Sequence, residues 1–373
     1  MRIAVNTRLL LKGKLEGIGW YTYEVLKHMV ETHPDDEFIF LFDRPFDEKF
    51  LFGKNVTGIV VPPPARHPVL WYVWFEWSLP PILKKLKADV FLSPDGYCSL
   101  KSKVPVLMTM HDLAYLHFPN QVAWLTQKYY ERYVPKFLKR AEKVAVVSDY
   151  VKNDIVSNLG IPAQKIFRAY NGVRQEFQPI NNSEKEKTQN QYTSGKEYFL
   201  YYGAIHPRKN ILNLIAAFEQ YKSNNGGHKT LLLAGRMAWK TSEIENKIKQ
   251  SPFSSDIYHV DYLGDELPRV VASAFAVVYV SMFEGFGLPV AEAMKCGVPV
   301  ITSNVTSMPE VAGDAAICVN PHDVTEIANA LCRLDQDNDL VRELSGKGIV
   351  QANKFDWKIC SDQIYKELRQ LVE

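Results

Sequence analysis

No two of the five cysteines, Cys98, Cys296, Cys318, Cys332 and Cys360, form a CxxC pair, and their number is odd. That spacing argues against a disulfide framework and a structural zinc site, and it fits a reducing compartment, so a cytoplasmic location is expected. An excess of charge is lacking as well: 44 Lys and Arg stand against 42 Asp and Glu, a formal net charge of +2. Nucleic acid is therefore not an expected partner, since it would need a local basic patch. Long apolar runs are scarce. The longest, VVASAFAVVYVSMF from Val270 to Phe283, is too short for a hydrocarbon core of ~30 Å, and its β-branched end reads as a buried strand. The opening MRIAVNTRLL lacks the basic, apolar and small-residue segments of an export leader, so neither a leader nor a membrane span is expected.

What remains is an ordinary globular composition, 46% hydrophobic and 23% charged, with 19 Phe, 19 Tyr and 7 Trp to build cores. At 373 residues the chain exceeds what one core usually organises, so two domains are expected. Buried-strand segments RIAVN, EFIFLF, GIVVP, ADVFLSP, VPVLMTM and KVAVVS recur in the first half, with helical periodicity between several of them. The pattern restarts after residue 195 with YFLYYGAI, TLLLAG, YHVDYLG, FAVVYVS and VPVITS, separated by helical stretches such as Ile211 to Tyr221 and Leu267 to Ala274. This alternation predicts two α/β domains, each with a parallel sheet. The polar segment NNSEKEKTQNQYTSGKE, Asn181 to Glu197, has no apolar period and reads as a linker or exposed loop. It divides residues 1–180 from residues 181–355. In the tail, 356–373, Trp357, Ile364, Leu368 and Leu371 recur at roughly helical spacing, which predicts an amphipathic helix docked on an apolar surface.

Open parallel sheets bind ligands beyond the carboxyl ends of their strands, so two such sheets predict a site in the cleft between the domains. Three loops qualify. In FEGFGLPVAEAMKCG, Phe283 to Gly297, the chain leaves an apolar strand, turns through Gly285 and Gly287, and enters a helix near Pro289. Free N–H groups and the positive end of the helix dipole suit an anion, a diphosphate above all. Glu284 before the turn and Glu292 about one turn into the helix place carboxylates on either side of a ligand, where they suit hydroxyls rather than phosphates. A helix start with two solvated glutamates is the plainer alternative, and a lone Gly-x-Gly would favour it. The second loop, YYGAIHPRKN, brings Arg208 and Lys209 to a strand end, where they could neutralise a diphosphate; a solvated basic turn is the alternative. The third, LEGIGWYTYEVLKHM, carries Gly17 and Gly19 before a helix but no full GxGxxG, which argues against an ordinary NAD site.

Taken in order, GIGWYT, MHDLAY, VVSDYVKNDI, YYGAIHPRKN, EGFGLPVAEAMKCGVPVITSN and SMPEVAGDAA resemble the retaining glycosyltransferases of family 4, over nearly the whole chain. The resemblance implies the GT-B fold, with two Rossmann-like domains facing across a cleft and the C-terminal helix crossing back to the first domain. It implies a nucleoside-diphosphate sugar donor on the second domain, with GDP-mannose slightly favoured, and a glycan or lipid-linked glycan acceptor on the first. Glu284 would then meet the donor sugar, the backbone of Gly285, Phe286, Gly287 and Leu288 the sugar and diphosphate, and Glu292 the ribose. Arg208 and Lys209 would hold the diphosphate, Gly17 and Gly19 would face it, and His111 would lie near the donor sugar; a buried structural histidine is the plainer reading of His111. Many members carry an arginine where this chain has Ala204, and Arg236 in LLLAGR is the candidate replacement.

Retention by double displacement needs a nucleophilic carboxylate beside an acid partner, and no such pair stands out. The resemblance implies instead a front-face transfer resting on positioning and electrostatics, with neither cofactor nor metal. LDQDND, Leu334 to Asp339, imitates a metal-binding Asp-x-Asp but reads as a solvated loop. The cluster Trp71, Tyr72, Trp74, Phe75 and Trp77 ahead of Lys84, Lys85 and Lys87 reads first as core packing, with Pro80 and Pro81 interrupting any long helix; contact with a membrane surface is the alternative. Rival functions on the same fold are a sugar-nucleotide epimerase, a phosphorylase and a sugar-nucleotide sensor without turnover.

Overall fold

A computed structural model describes residues 1–13, 15–225, 227–237 and 242–373. The first sheet comprises β1 (Arg2–Asn6), β2 (Glu37–Phe42), β3 (Val56–Val60), β4 (Val90–Ser93), β5 (Val106–Met110), β6 (Lys143–Val146) and β7 (Ile166–Arg168), all parallel, in the order β3-β2-β1-β4-β5-β6-β7. The second comprises β8 (Tyr198–Tyr202), β9 (Thr230–Ala234), β10 (Ile257–Val260), β11 (Ala276–Tyr279), β12 (Val300–Ser303) and β13 (Ile317–Val319), ordered β10-β9-β8-β11-β12-β13. In each sheet the winding reverses once, between β1 and β4 and between β8 and β11. Such a reversal opens a crevice at the carboxyl ends of the two strands, the usual ligand position in doubly wound sheets.

The inner strands read as unbroken apolar runs because they are buried, as Phe38 to Phe42 in β2 and Ala276 to Tyr279 in β11 illustrate, whereas the edge strands β3, β7, β10 and β13 are only partly covered. β7 and β13, three residues each on the sheet edges, are too short to carry a sequence period and add to the strands expected from the sequence.

The chain divides into two units, Met1–Gly172 with Asp356–Glu373, and Val173–Phe355. The division thus falls before the expected 180/181 boundary. The reason is local: the Val173 N–H donates to the Phe355 carbonyl at 3.1 Å, so the residues after Gly172 already belong to the second unit. The expected linker is also corrected, because most of it is a helix, Asn182–Thr193. The Asn181 side chain accepts from the Glu184 N–H and the Glu184 carboxylate accepts from the Asn181 N–H, a complete capping box. This helix packs on the helix Leu267–Ser273, and its buried residues are Thr188 and Thr193, which explains the missing apolar period.

The C-terminal helix, Trp357–Gln370, belongs to the first unit and packs along the helix Gly17–Thr32. Trp357, Ile364 and Leu368 are buried, the Ser361 hydroxyl donates to the Val25 carbonyl, and Tyr365 stacks on His33 at 3.4 Å while donating to Asp36. Gly172 makes room for it: a Cβ there would stand 2.2 Å from the Trp357 nitrogen.

Two smaller expectations change. Pro80 and Pro81 do not break the aromatic segment, because the helix Pro68–Val73 runs through a π turn, Trp74–Ser78, into the helix Leu79–Leu86. The wider turn lets prolines start the last stretch. Trp74 and Phe75 are core residues as expected, whereas Trp77 is 64% exposed. Residues 334–339 form a junction between the helices Val324–Gln336 and Asn338–Ala352, not a solvated loop; the Asp335 carboxylate accepts from Lys229 and Tyr221, and Asp337 caps the second helix. No helix among the described residues is long and apolar enough to cross a membrane.

Candidate active site

At the end of β11 the chain turns through Gly285 and Gly287 into the helix Leu288–Lys295. Gly287 adopts φ 101°, a conformation that favours glycine, and a Cβ on it would also displace the end of the Met308 side chain, whose Cε would stand 2.2 Å away. Among the described residues, no side chain caps this helix. Pro289 has no N–H and the Val290 N–H donates to the Gly287 carbonyl at 3.0 Å, so the helix offers an anion the Leu288 N–H and the positive end of its dipole. The loop after β12 holds the turn from behind. Thr306 accepts from the Glu284 N–H at 3.3 Å, and the Ser307 hydroxyl lies 3.0 Å from both the Glu284 and the Phe286 carbonyls.

Arg208 and Lys209 sit in the single turn Pro207–Lys209 after β8. Asn210 closes that turn with φ 65° and donates to the Val280 and Pro321 carbonyls, pinning it to the end of β11. Both cations converge on Glu284, which is 8% exposed. Lys209 bonds to Glu284 Oε1 and donates to the Tyr279 hydroxyl at 2.6 Å; Tyr279 donates in turn to Glu284 Oε1 at 3.0 Å. Arg208 donates to the Phe283 carbonyl at 2.8 Å and stands 3.5 Å from Glu284 Oε2. Burial alone would raise the Glu284 carboxyl, but Lys209 and then Arg208 outweigh it and hold the group down at about 2. It is a fixed acceptor, not a proton donor.

Glu292 presents the opposite case. Burial pushes its carboxyl up to about 7, against the pull of Arg174 and a hydrogen bond with Tyr202. The Tyr202 hydroxyl lies 2.9 Å from Glu292 Oε2 and 2.9 Å from the Pro289 carbonyl. Two carboxylates eight positions apart in one loop and helix are thus tuned in opposite directions.

Arg236 follows β9, next to β8, and is exposed; its carbonyl accepts from the Ile205 N–H at 3.0 Å, so its backbone runs beside the turn that holds Ala204. The backbones approach so closely there that a Cβ on Gly235 would stand 1.8 Å from the Gly203 carbonyl oxygen.

Gly17, Gly19 and His111 belong to the other unit. The glycines lie within the first turn of the helix Gly17–Thr32 rather than ahead of it. Space beside Gly17 is open, whereas a Cβ on Gly19 would meet the Leu9 carbonyl at 3.0 Å, a local packing reason for that glycine. His111 follows β5, with Tyr21 edge-on at 4.7 Å. Its Nε2 donates to the Pro94 carbonyl at 2.7 Å, and burial lowers its pKa, so the ring is neutral with its hydrogen on Nε2.

Sequence reading singled out the two glutamates and the two cations that meet here, but missed Arg174, Tyr202, Tyr279, Thr306 and Ser307. The tyrosines offered one signal: each ends an apolar strand, where a hydroxyl needs a partner.

Residues 182–350 match the family model for "Glycosyl transferases group 1", and residues 15–177 that for "Glycosyltransferase Family 4". The chain is 28% identical over 369 residues to O-antigen chain mannosyltransferase B of Escherichia coli, covering 95% of this chain and 96% of that one. It is 29% identical over 288 residues to O-antigen chain mannosyltransferase RfbU of Salmonella typhimurium, covering 74% and 73%. Among solved structures, Anabaena Alr3699/HepE, crystallised with UDP-glucose, superposes with a TM-score of 0.78 at 18% identity over 99% of this chain and 100% of that one. The last likeness speaks for the fold alone. With the paired glutamates, the cationic turn and two doubly wound sheets on the same chain, this protein is a member of the group 1, family 4 glycosyltransferases and has the GT-B fold.

Proposed function

We propose that this glycosyltransferase moves a hexose from a nucleoside-diphosphate sugar to a hydroxyl of a glycan or lipid-linked glycan, with retention of configuration. GDP-mannose is the favoured donor, because the full-length relative is named a mannosyltransferase of O-antigen chains. The observation that carries the reading is the convergence of Lys209, Arg208 and Tyr279 on Glu284 beside an uncapped helix N-terminus. That arrangement offers cations and N–H groups to a diphosphate, and an ionised acceptor to sugar hydroxyls. Glu292 would hold the ribose, Arg236 would add charge beside Ala204, and His111, Gly17 and Gly19 would contribute from the first unit. In this reading the departing diphosphate oxygen takes the proton of the incoming hydroxyl, and the protein supplies positioning without a metal.

Peripheral contact with the inner face of a membrane is supported by Trp77 and Trp124, 64% and 73% exposed, and by the exposed Lys84, Lys85 and Lys87. The test of the function is release of free GDP from GDP-mannose, or of UDP from UDP-glucose, on adding a glycan acceptor. Glu284→Gln should lower turnover far more than it weakens binding of the bare nucleotide, and Glu292→Gln should do the reverse. Equal effects of both variants on nucleotide binding would refute the assignment.

A further inference from the structure

The three-way contact among Lys209, Tyr279 and Glu284 contains one member that a ligand cannot recruit. A lysine ammonium only donates, so the hydroxyl between Lys209 and Glu284 must accept from the lysine and give its own hydrogen to the carboxylate. In the proposed function, on which this inference rests, an arriving diphosphate draws Lys209 and Arg208 toward itself. Both cations now serve Glu284. A buried carboxylate deprived of them would tend to take up a proton just when it must accept hydrogen bonds from the donor sugar. Tyr279 cannot follow the phosphate: it ends β11, is 2% exposed, and lies parallel to the Tyr201 ring at 5.7 Å.

We propose that Tyr279 is the fixed positioning residue of the donor-sugar site, keeping Glu284 ionised and aimed while Lys209 turns to the diphosphate. The charged and titratable groups facing Glu284 are Lys209 and Arg208 from the turn after β8, Tyr201 from β8 and Tyr279 from β11. Of these, only Tyr279 is both neutral at working pH and bonded to the carboxylate; the Ser281 hydroxyl also lies beside Glu284 but stands 3.1 and 3.3 Å from the Arg208 and Phe283 carbonyls, to which it donates.

The test is Tyr279→Phe, which keeps the ring and removes the hydroxyl. Turnover, read as GDP release from GDP-mannose, should fall about tenfold or more, the range for a hydrogen bond to a charged group. The dissociation constant for GDP should stay within about twofold, and the acid limb of turnover should move to higher pH. In a Glu284→Gln background the same change should have little further effect. Tyr198→Phe, which removes bonds to the Val270 carbonyl and to Ser273 in the core, controls for loss of a buried hydroxyl and should leave turnover nearly unaltered. Carbon-13 carboxyl NMR of the GDP complex gives a readout independent of turnover, with the Glu284 carboxyl titrating higher in Tyr279→Phe than in the parent. Turnover within twofold of the parent, an unmoved titration, or GDP affinity falling as far as turnover would each overturn the proposal. If Glu284→Gln itself left turnover intact, the underlying function assignment would fail instead.

Discussion

The Tyr202 hydroxyl stands 2.9 Å from Glu292 Oε2 and equally far from the Pro289 carbonyl, yet it has one hydrogen to give. When that hydrogen goes to Pro289, the contact with Glu292 is satisfied only if the carboxyl supplies the proton. The upward shift of Glu292 to about 7 accords with this. Nucleotide binding that uses Glu292 as an acceptor should therefore release a proton between the ordinary carboxyl range and pH 7, and affinity should weaken as pH falls through that window. Calorimetry of GDP binding near pH 6 in buffers of different ionisation enthalpy should register the release in the parent and less of it in Glu292→Gln. Identical proton counts in both would contradict the coupling.

The same residue has a stability signature in the absence of nucleotide. A carboxyl whose folded pKa is raised favours the native state below about 4.5 and loses that contribution as pH rises through about 7. Denaturant unfolding of Glu292→Gln should show a shallower decline between pH 5 and pH 8 than the parent. Parallel pH profiles would be evidence against it.

Glu284 has the opposite sign. Its depression from 4.5 to about 2 represents roughly 3 kcal/mol, present above pH 4.5 and lost as pH falls toward 2. Lys209→Ala should cost about 3 kcal/mol at pH 7, because it strips a buried carboxylate of its nearest cation, and less near pH 3. Adding Glu284→Gln should recover part of the loss. The same Lys209→Ala and also Arg208→Ala should weaken GDP binding by about 1.5–3 kcal/mol each, with guanosine binding little altered. Unaltered GDP affinity in both variants would remove their proposed part in holding the diphosphate.

Gly172→Ala should loosen the C-terminal helix, since the new methyl would collide with Trp357 backbone and ring. Overpacking of this kind costs about 1–3 kcal/mol. Hydrogen exchange should rise selectively in Trp357–Gln370 and in the helix Gly17–Thr32. Uniform or absent changes would show that the site relaxes without undocking.

Under the proposed function transfer should proceed in excess chelator with saturating donor, because Arg208, Lys209 and a helix N-terminus would meet the growing charge of the leaving diphosphate. Activity lost to chelation and restored by magnesium would require a carboxylate partner for the metal and a redrawn site.

The sheets were legible because buried parallel strands are long apolar runs, and the glycine loop because Gly287 adopts φ 101°, which favours glycine. The tuning of Glu284 and Glu292 was not legible. That of Glu284 depends on Lys209 and Arg208, 75 and 76 residues away in the chain, and that of Glu292 on burial, neither of which the sequence displays. The helix Asn182–Thr193 escapes sequence reading for a related reason: its buried contacts are made by threonines, so hydropathy had nothing to register. At Gly19 a local contact, a Cβ 3.0 Å from the Leu9 carbonyl, adds to the motif a constraint that the sequence does not display.

The first unit is assembled from residues 1–172 and 356–373, with all of 173–355 strung between them. During synthesis the second unit can therefore reach its native state as an uninterrupted stretch while the first still lacks a helix. Until Trp357, Ile364 and Leu368 emerge, the side of the helix Gly17–Thr32 that they cover stays bare, although seven strands beside it are already complete. A nascent chain should be most prone to aggregation and proteolysis during that interval, and a released chain ending at Phe355 should have a protease-resistant second unit and a protease-sensitive first one.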